Sequence, residues 1–189
     1  YYINKMKIAV YSCNLGNYRN ELSVDILNNI KFNKDIDYYF FTEQDIKLSN
    51  WNVVKTNLEE SLSFMNKYRN TSKYLKFVLP KILKSYDYVI WCDTKKESLK
   101  NINSINIDKI KKLILETDKK IFLIQHPQRT NPIQEIDITK KLKLENEENA
   151  DIFKKKIEDI VFNSKLPDTT TIIRKVDNKI NNLFKEVYD

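Results

Sequence analysis

Short apolar runs bounded by polar turns alternate along this chain with longer stretches in which apolar residues recur at helical spacing. Residues 6–13 (M-K-I-A-V-Y-S-C) read as a strand covered on both faces, ending in the polar turn Asn14-Leu15-Gly16-Asn17, where Gly16 supplies a positive φ. A short helix is expected near residues 21–29, a second strand over 37–42 and a third over 51–56, with 58–65 ambiguous. Residues 66–85 carry a helical pattern interrupted by Pro80, which frees the carbonyl of Lys76 and predicts a kink. A continuous apolar run then fills the strand predicted over 87–93. Ile107, Ile110, Leu113 and Ile114 place an amphipathic helix over 108–116. Strands follow over 120–125 and 169–174, with one or two helices within 133–162 and a terminal amphipathic helix over 178–187. Such alternation predicts an α/β fold: one domain, residues 1–189, with a Rossmann-like, mostly parallel central sheet flanked by helices.

Composition narrows the chemistry. With 189 residues, 41% hydrophobic, the chain can bury a core without disulfides or metals. It contains one Gly, which excludes the P-loop and the dinucleotide fingerprint, both of which need several glycines at fixed spacing. The net charge of +7 invites a nucleic-acid reading. Lysines are spread through the whole chain among 26 acidic residues, so a polynucleotide partner is not expected, and the run over 140–156 reads as a solvated helix face. Cys13 and Cys92 form no disulfide framework or zinc spacing, and one histidine rules out a histidine-rich metal site. No run of apolar residues reaches membrane-spanning length and no secretory leader pattern opens the chain, so a soluble, cytoplasmic protein is the expectation. Without a coiled-coil seam or large apolar stripe, a monomer is expected.

Four groups at strand ends could carry chemistry. Ser12, Cys13 and Asn14 follow the first strand, where such loops reach a base and ribose, although the same residues make an ordinary turn. Arg69, Lys73 and Lys76 stack on one helical face, which suits either a pyrophosphate or plain solvent. Asp93-Thr94-Lys95 follows the central strand. Asp93 could hold Mg²⁺ or Mn²⁺ with help from elsewhere, Lys95 could supply the cation for a leaving diphosphate, or Asp93 could cap a turn. His126, at the end of a later strand, suits a metal ligand, an acceptor contact, a general base or a hydrogen-bonded surface residue. Glu135 and Asp168 are the carboxylates suited to deprotonating an acceptor hydroxyl.

Five motifs stand in order: Y-S-C-N-L-G-N-Y, R-N-T-S-K-Y-L-K-F-V-L-P, I-W-C-D-T-K, H-P-Q-R-T-N-P-I-Q-E and L-P-D-T-T-T-I-I-R-K. In this order the chain resembles the small GT-A-type glycosyltransferases of large algal DNA viruses. It also resembles a plant glycosyltransferase-like family linked to cell-wall and mucilage polysaccharides, whose pattern includes R-x-x-K-x-x-P, I-W-x-D-x-K, H-P-x-R and a late x-I-R. The resemblance implies a GT-A-like domain acting as a hexosyl- or deoxyhexosyltransferase, with a UDP-sugar donor and a glycan or glycoprotein acceptor; a viral origin would place it in the host cytoplasm. It makes Asp93 the metal and diphosphate residue, with Mn²⁺ or Mg²⁺ as cofactor, and puts Trp91, Cys92 and Lys95 beside it on the donor side. Lys95 matches the family's own departure from Asp-x-Asp. Arg69 with Lys73, or Lys73 with Lys76, matches the basic motif, and His126, Arg129 and Glu135 match the acceptor side. The family continues past the last helix with an Arg-Asp-Gln-like motif that this chain lacks, which implies a domain truncated at its C-terminus. The alternative is a non-catalytic nucleotide-sugar or carbohydrate-binding module of the same fold.

Overall fold

A computed structural model describes residues 6–16, 20, 22–57, 64–95, 102, 106–125, 128, 131–141, 147–158 and 166–188. Strands β1 (Ile8–Cys13), β2 (Ile36–Thr42), β3 (Asn52–Lys55), β4 (Tyr88–Cys92), β5 (Ile121–Gln125) and β6 (Pro167–Lys175) form one sheet in the order β3-β2-β1-β4-β6-β5. Helices α1 (Val24–Asn28), α2 (Phe64–Phe77), α3 (Ile107–Thr117), α4 (Pro132–Lys141) and α5 (Glu147–Glu158) lie between strands, and α6 (Asn178–Tyr188) follows β6. The pairs β1–β2, β1–β4 and β2–β3 are parallel and β4–β6 is antiparallel, which bears out the mostly parallel α/β expectation. β2 and β3 extend to one side of β1 and β4 lies on the other, so the winding of the sheet reverses between β1 and β4. Among the described residues, no helix is long and apolar enough to cross a membrane.

Every residue of β1 and β4 is buried. The side chains alternate between two cores, as the pleat of a strand requires. Ile8, Val10, Tyr88, Ile90 and Cys92 join one cluster with Leu27 of α1 and Ile107 and Ile114 of α3. Ala9, Tyr11, Cys13, Val89 and Trp91 join the other with Leu75 of α2 and Ile180 and Phe184 of α6. Two-sided burial is why these strands read as unbroken apolar runs.

The interruption at Pro80 ends α2 instead of kinking it, and a 3-10 turn over Lys81–Ser85 follows. The carbonyls released at the helix end are taken up by side chains. Tyr11 Oη donates to the Lys76 carbonyl at 3.2 Å, and Arg174 donates to the Phe77 carbonyl at 2.7 Å. Arg174, on β6, is 1% exposed, also donates to Tyr11 Oη at 3.2 Å, and stacks 4.4 Å from the Phe184 ring centroid. A cation at a helix C-terminus is favoured by the helix dipole. Here it fastens α2, β1, β6 and α6 to one another.

The chain divides into two compact units, one of Tyr1–Phe122 with Thr170–Asp189 and one of Leu123–Thr169. In the second unit α4 and α5 bury Ile136 and Ala150 against Ile133. Lys140 pairs with Asp151 at 2.6 Å and Lys154 with Asp137 at 2.9 Å, so part of the charged run expected to be solvated staples these two helices together.

Replacing Arg174 by Met removes charge-assisted hydrogen bonds worth about 1.5–3 kcal/mol each and strands the Phe77 carbonyl. Urea denaturation is expected to show a loss of about 2–4 kcal/mol; a change within experimental error would show that α2 is held by other contacts.

Candidate functional site

A cleft of about 340 Å³ opens where β1 and β4 end, lined by Cys13, Asn14, Leu15, Arg69, Ser72, Lys73, Trp91, Asp93, Thr94 and Lys95. All of these belong to the first unit. In open α/β sheets the carboxyl ends of strands at a winding reversal leave a crevice, because the two connections depart to opposite faces.

Strand parity decides which residues reach this cleft. Cys13 and Trp91 point towards the α2 face, and Asp93, two residues past Trp91, lines the cleft with them. The intervening residues point the other way. Ser12 is buried and donates its hydroxyl to the Cys92 carbonyl at 2.6 Å, and the Cys92 side chain lies in the opposite core. Ser12 and Cys92, expected on the donor side, therefore do not line the cleft.

Helix α2 supplies the cations. Arg69, Ser72 and Lys73 face the cleft, as spacings of three and four place them on one side of a helix. Lys76, the next residue of that face, approaches Asp93 Oδ1 at 3.2 Å, while Trp91 Nε1 donates to the same oxygen at 2.7 Å. The Lys76 ammonium also lies 5.7 Å from the Trp91 ring centroid. Both side chains are shielded, Lys76 being 12% and Asp93 24% exposed, so their attraction is screened less than that of a surface pair. Lys95 is exposed at the rim.

At the other wall, Asn14 is 4% exposed. Its amide nitrogen makes a long contact of 3.5 Å with Thr94 Oγ1, and its amide oxygen has no hydrogen-bond partner among the described residues. A buried acceptor in a cleft suits a ligand that brings a donor. The turn behind Asn14 is pinned at Gly16. That residue has φ +64°, its N–H donates to Glu43 Oε1 at 2.7 Å, and an added Cβ would meet the Tyr68 ring at 2.6 Å.

Burial pushes the Cys13 thiol up to about 12, and the nearby Asp93 charge adds to the effect against a hydrogen bond from Ser72. Cys92 is likewise pushed up to about 12 by burial. Both remain neutral thiols that pack and do not act as nucleophiles.

These residues do not fit a divalent ion held by the protein. Asp93 is the one carboxylate among the described lining residues, its Oδ1 is already taken by Lys76 and Trp91, and three cations share the walls. Among the described residues no group of three or more His, Cys, Asp or Glu could hold a metal. Glu135, in the first turn of α4, and Asp168, at the start of β6, belong to the second unit. His126 and Arg129 lie outside the described residues.

No protein-family model matches the chain, and no curated protein matches it. Solved structures similar to it are glycosyltransferases. The apo structure of the bifunctional glycosyltransferase WbbM shares 13% identity over 98% of this chain and 34% of its own length, with a TM-score of 0.45. TarS residues 1–349 from S. aureus share 19% over 67% of this chain and 38% of theirs, at 0.33. The glycosyltransferase GlyE of Streptococcus pneumoniae TIGR4 shares 11% over 54% and 28%, at 0.28. The chain thus spans about a third of the length of the first of these structures.

Two outcomes follow from the cleft's construction. Gly16→Ala combines a left-handed backbone with a clash against Tyr68, and is expected to cost about 1–3 kcal/mol, read by thermal unfolding; an unchanged transition would mean that the turn is free to relax. The thiols give a pH effect. Their folded values lie above the unfolded value of about 8.5, so the native state keeps protons that the unfolded state loses, and stability declines as pH rises from about 8.5 towards 12. Ellman's reagent at pH 8 is expected to react with neither thiol in the native protein and with both in guanidinium; fast native labelling would contradict their burial.

Proposed function

We propose that the cleft binds the diphosphate of a nucleotide-diphosphate sugar, a UDP-sugar, and that the chain transfers the sugar to a hydroxyl of a glycan acceptor. One observation carries this reading: at the winding reversal of the sheet, a carboxylate and the cations Arg69, Lys73 and Lys95 share one crevice. Arg69 can meet two phosphate oxygens with its planar fork, and Lys73 and Lys95 act as point charges. Asn14, with an unsatisfied acceptor beside the exit of β1, suits a donor on the base or ribose. The ordered resemblance across five motifs supports the same reading.

In the transfer, the acceptor oxygen attacks the anomeric carbon and the bond from that carbon to the phosphate oxygen breaks. The electron pair departs with the nucleoside diphosphate, whose charge the three cations stabilise. The hydroxyl proton passes to a general base. Asp93 accepts a hydroxyl of the donor through Oδ2, which no described side chain engages.

Isothermal titration with UDP tests the reading. Binding is expected, and Arg69→Gln and Lys73→Gln should each weaken it about tenfold, the scale of one charge-assisted hydrogen bond. Asp93→Asn should reduce transfer from UDP-sugars by about 10² or more while the protein stays folded. UDP bound without transfer to any glycan would favour the non-catalytic module; no UDP binding with or without Mn²⁺ would end the proposal.

A further inference from the structure

Resting on the diphosphate reading above, we infer that the site works without a divalent ion, because Lys76 serves as the built-in counter-cation of Asp93. Where a metal bridges a strand-end carboxylate and a diphosphate, it neutralises two anions that would otherwise repel each other. Here that conflict is resolved within the protein. The Lys76 ammonium rests on Asp93 Oδ1 at 3.2 Å, and the Trp91 indole N–H fixes the same oxygen at 2.7 Å.

The arrangement is built and not incidental. Lys76 does not line the cleft; it stands behind Asp93 against the faces of Trp91 and Phe77, at 5.7 and 6.0 Å from their centroids. Its own backbone is held too, since its carbonyl accepts from Tyr11, which Arg174 contacts in turn. The pair is close to neutral as seen from the cleft, whose walls Arg69, Lys73 and Lys95 line as cationic partners for the diphosphate. An approaching divalent ion meets that same positive field, and finds at Oδ2 a carboxylate whose charge Lys76 already balances from Oδ1. Lys76 is therefore a positioning residue and a charge balance for Asp93.

Titration of UDP in EDTA and in excess Mn²⁺ checks this. The wild-type affinity is expected to agree within about threefold between the two conditions, a difference of under 1 kcal/mol. Lys76→Gln leaves Asp93 as an unbalanced anion facing the diphosphate, so UDP binding in EDTA should weaken at least tenfold and Mn²⁺ should restore much of it. Lys76→Arg, which keeps the charge, should retain binding in EDTA. Wild-type binding that needs Mn²⁺ would overturn the inference while leaving the donor reading intact, and so would a folded Lys76→Gln protein that binds UDP normally in EDTA. No UDP binding in either condition would overturn both. If Lys76→Gln fails to fold, the wild-type comparison decides alone.

Discussion

Burial on both faces of β1 and β4 is the constraint from which the site's geometry follows. A side chain on such a strand has two directions available, and each core accepts alternate residues. Once Tyr11 and Trp91 are committed to the α2 side, Cys13 follows them and Asp93 lines the same side; Ser12 and Cys92 are committed to the other. Slipping β4 by one residue would turn Asp93 to the opposite face and Cys92 towards the cleft. The apolar core thus determines where the polar chemistry sits.

The helix that faces Asp93 depends on a second, smaller device. Pro80 stops the helical ladder, and two carbonyls of the last turn need partners in a half-buried place. Arg174 and Tyr11 provide them from β6 and β1. A buried guanidinium without a carboxylate partner is costly unless its donors are used. This one uses two polar contacts and an aromatic face, all of them neutral. Its service to the site is indirect: it keeps the end of α2, and with it Lys76, at a fixed height over Trp91.

Much of this was legible in the residues. Continuous apolar runs at 88–91 and 8–11 revealed the doubly covered strands, since only two-sided burial removes the usual alternation. The spacing of Arg69, Lys73 and Lys76 revealed the cationic helix face; Pro80 predicts a kink within a helix over 66–85, whereas the helix ends at Phe77 and a 3-10 turn follows. The pairing of Lys76 with Asp93 was not legible, because it depends on how far α2 lies above β4, a tertiary distance that no local pattern carries. Ser12 and Cys92 were separable in principle: counting alternate residues from Asp93 and Cys13 assigns both to the opposite face. Arg174 gave a weaker sign, a cation directly after the β-branched run Thr169–Ile173, which does not name its partner. The second unit was the least legible. Its small core of Ile133, Ile136 and Ala150 leaves little periodicity to read, and the chemistry of its charged residues lies in ion pairs between two helices.

Gly16 has a consequence for the unfolded chain as well as for the folded one. Asn20 and Asp118 also adopt positive φ, yet both carry side chains, so backbone conformation alone did not demand the single glycine. What demanded it is the Tyr68 ring pressed against its α-carbon. Glycine is the residue that most enlarges the number of shapes an unfolded backbone explores. A sequence that spends it once surrenders less disorder on folding than a glycine-rich one, and that saving reaches every loop around the cleft.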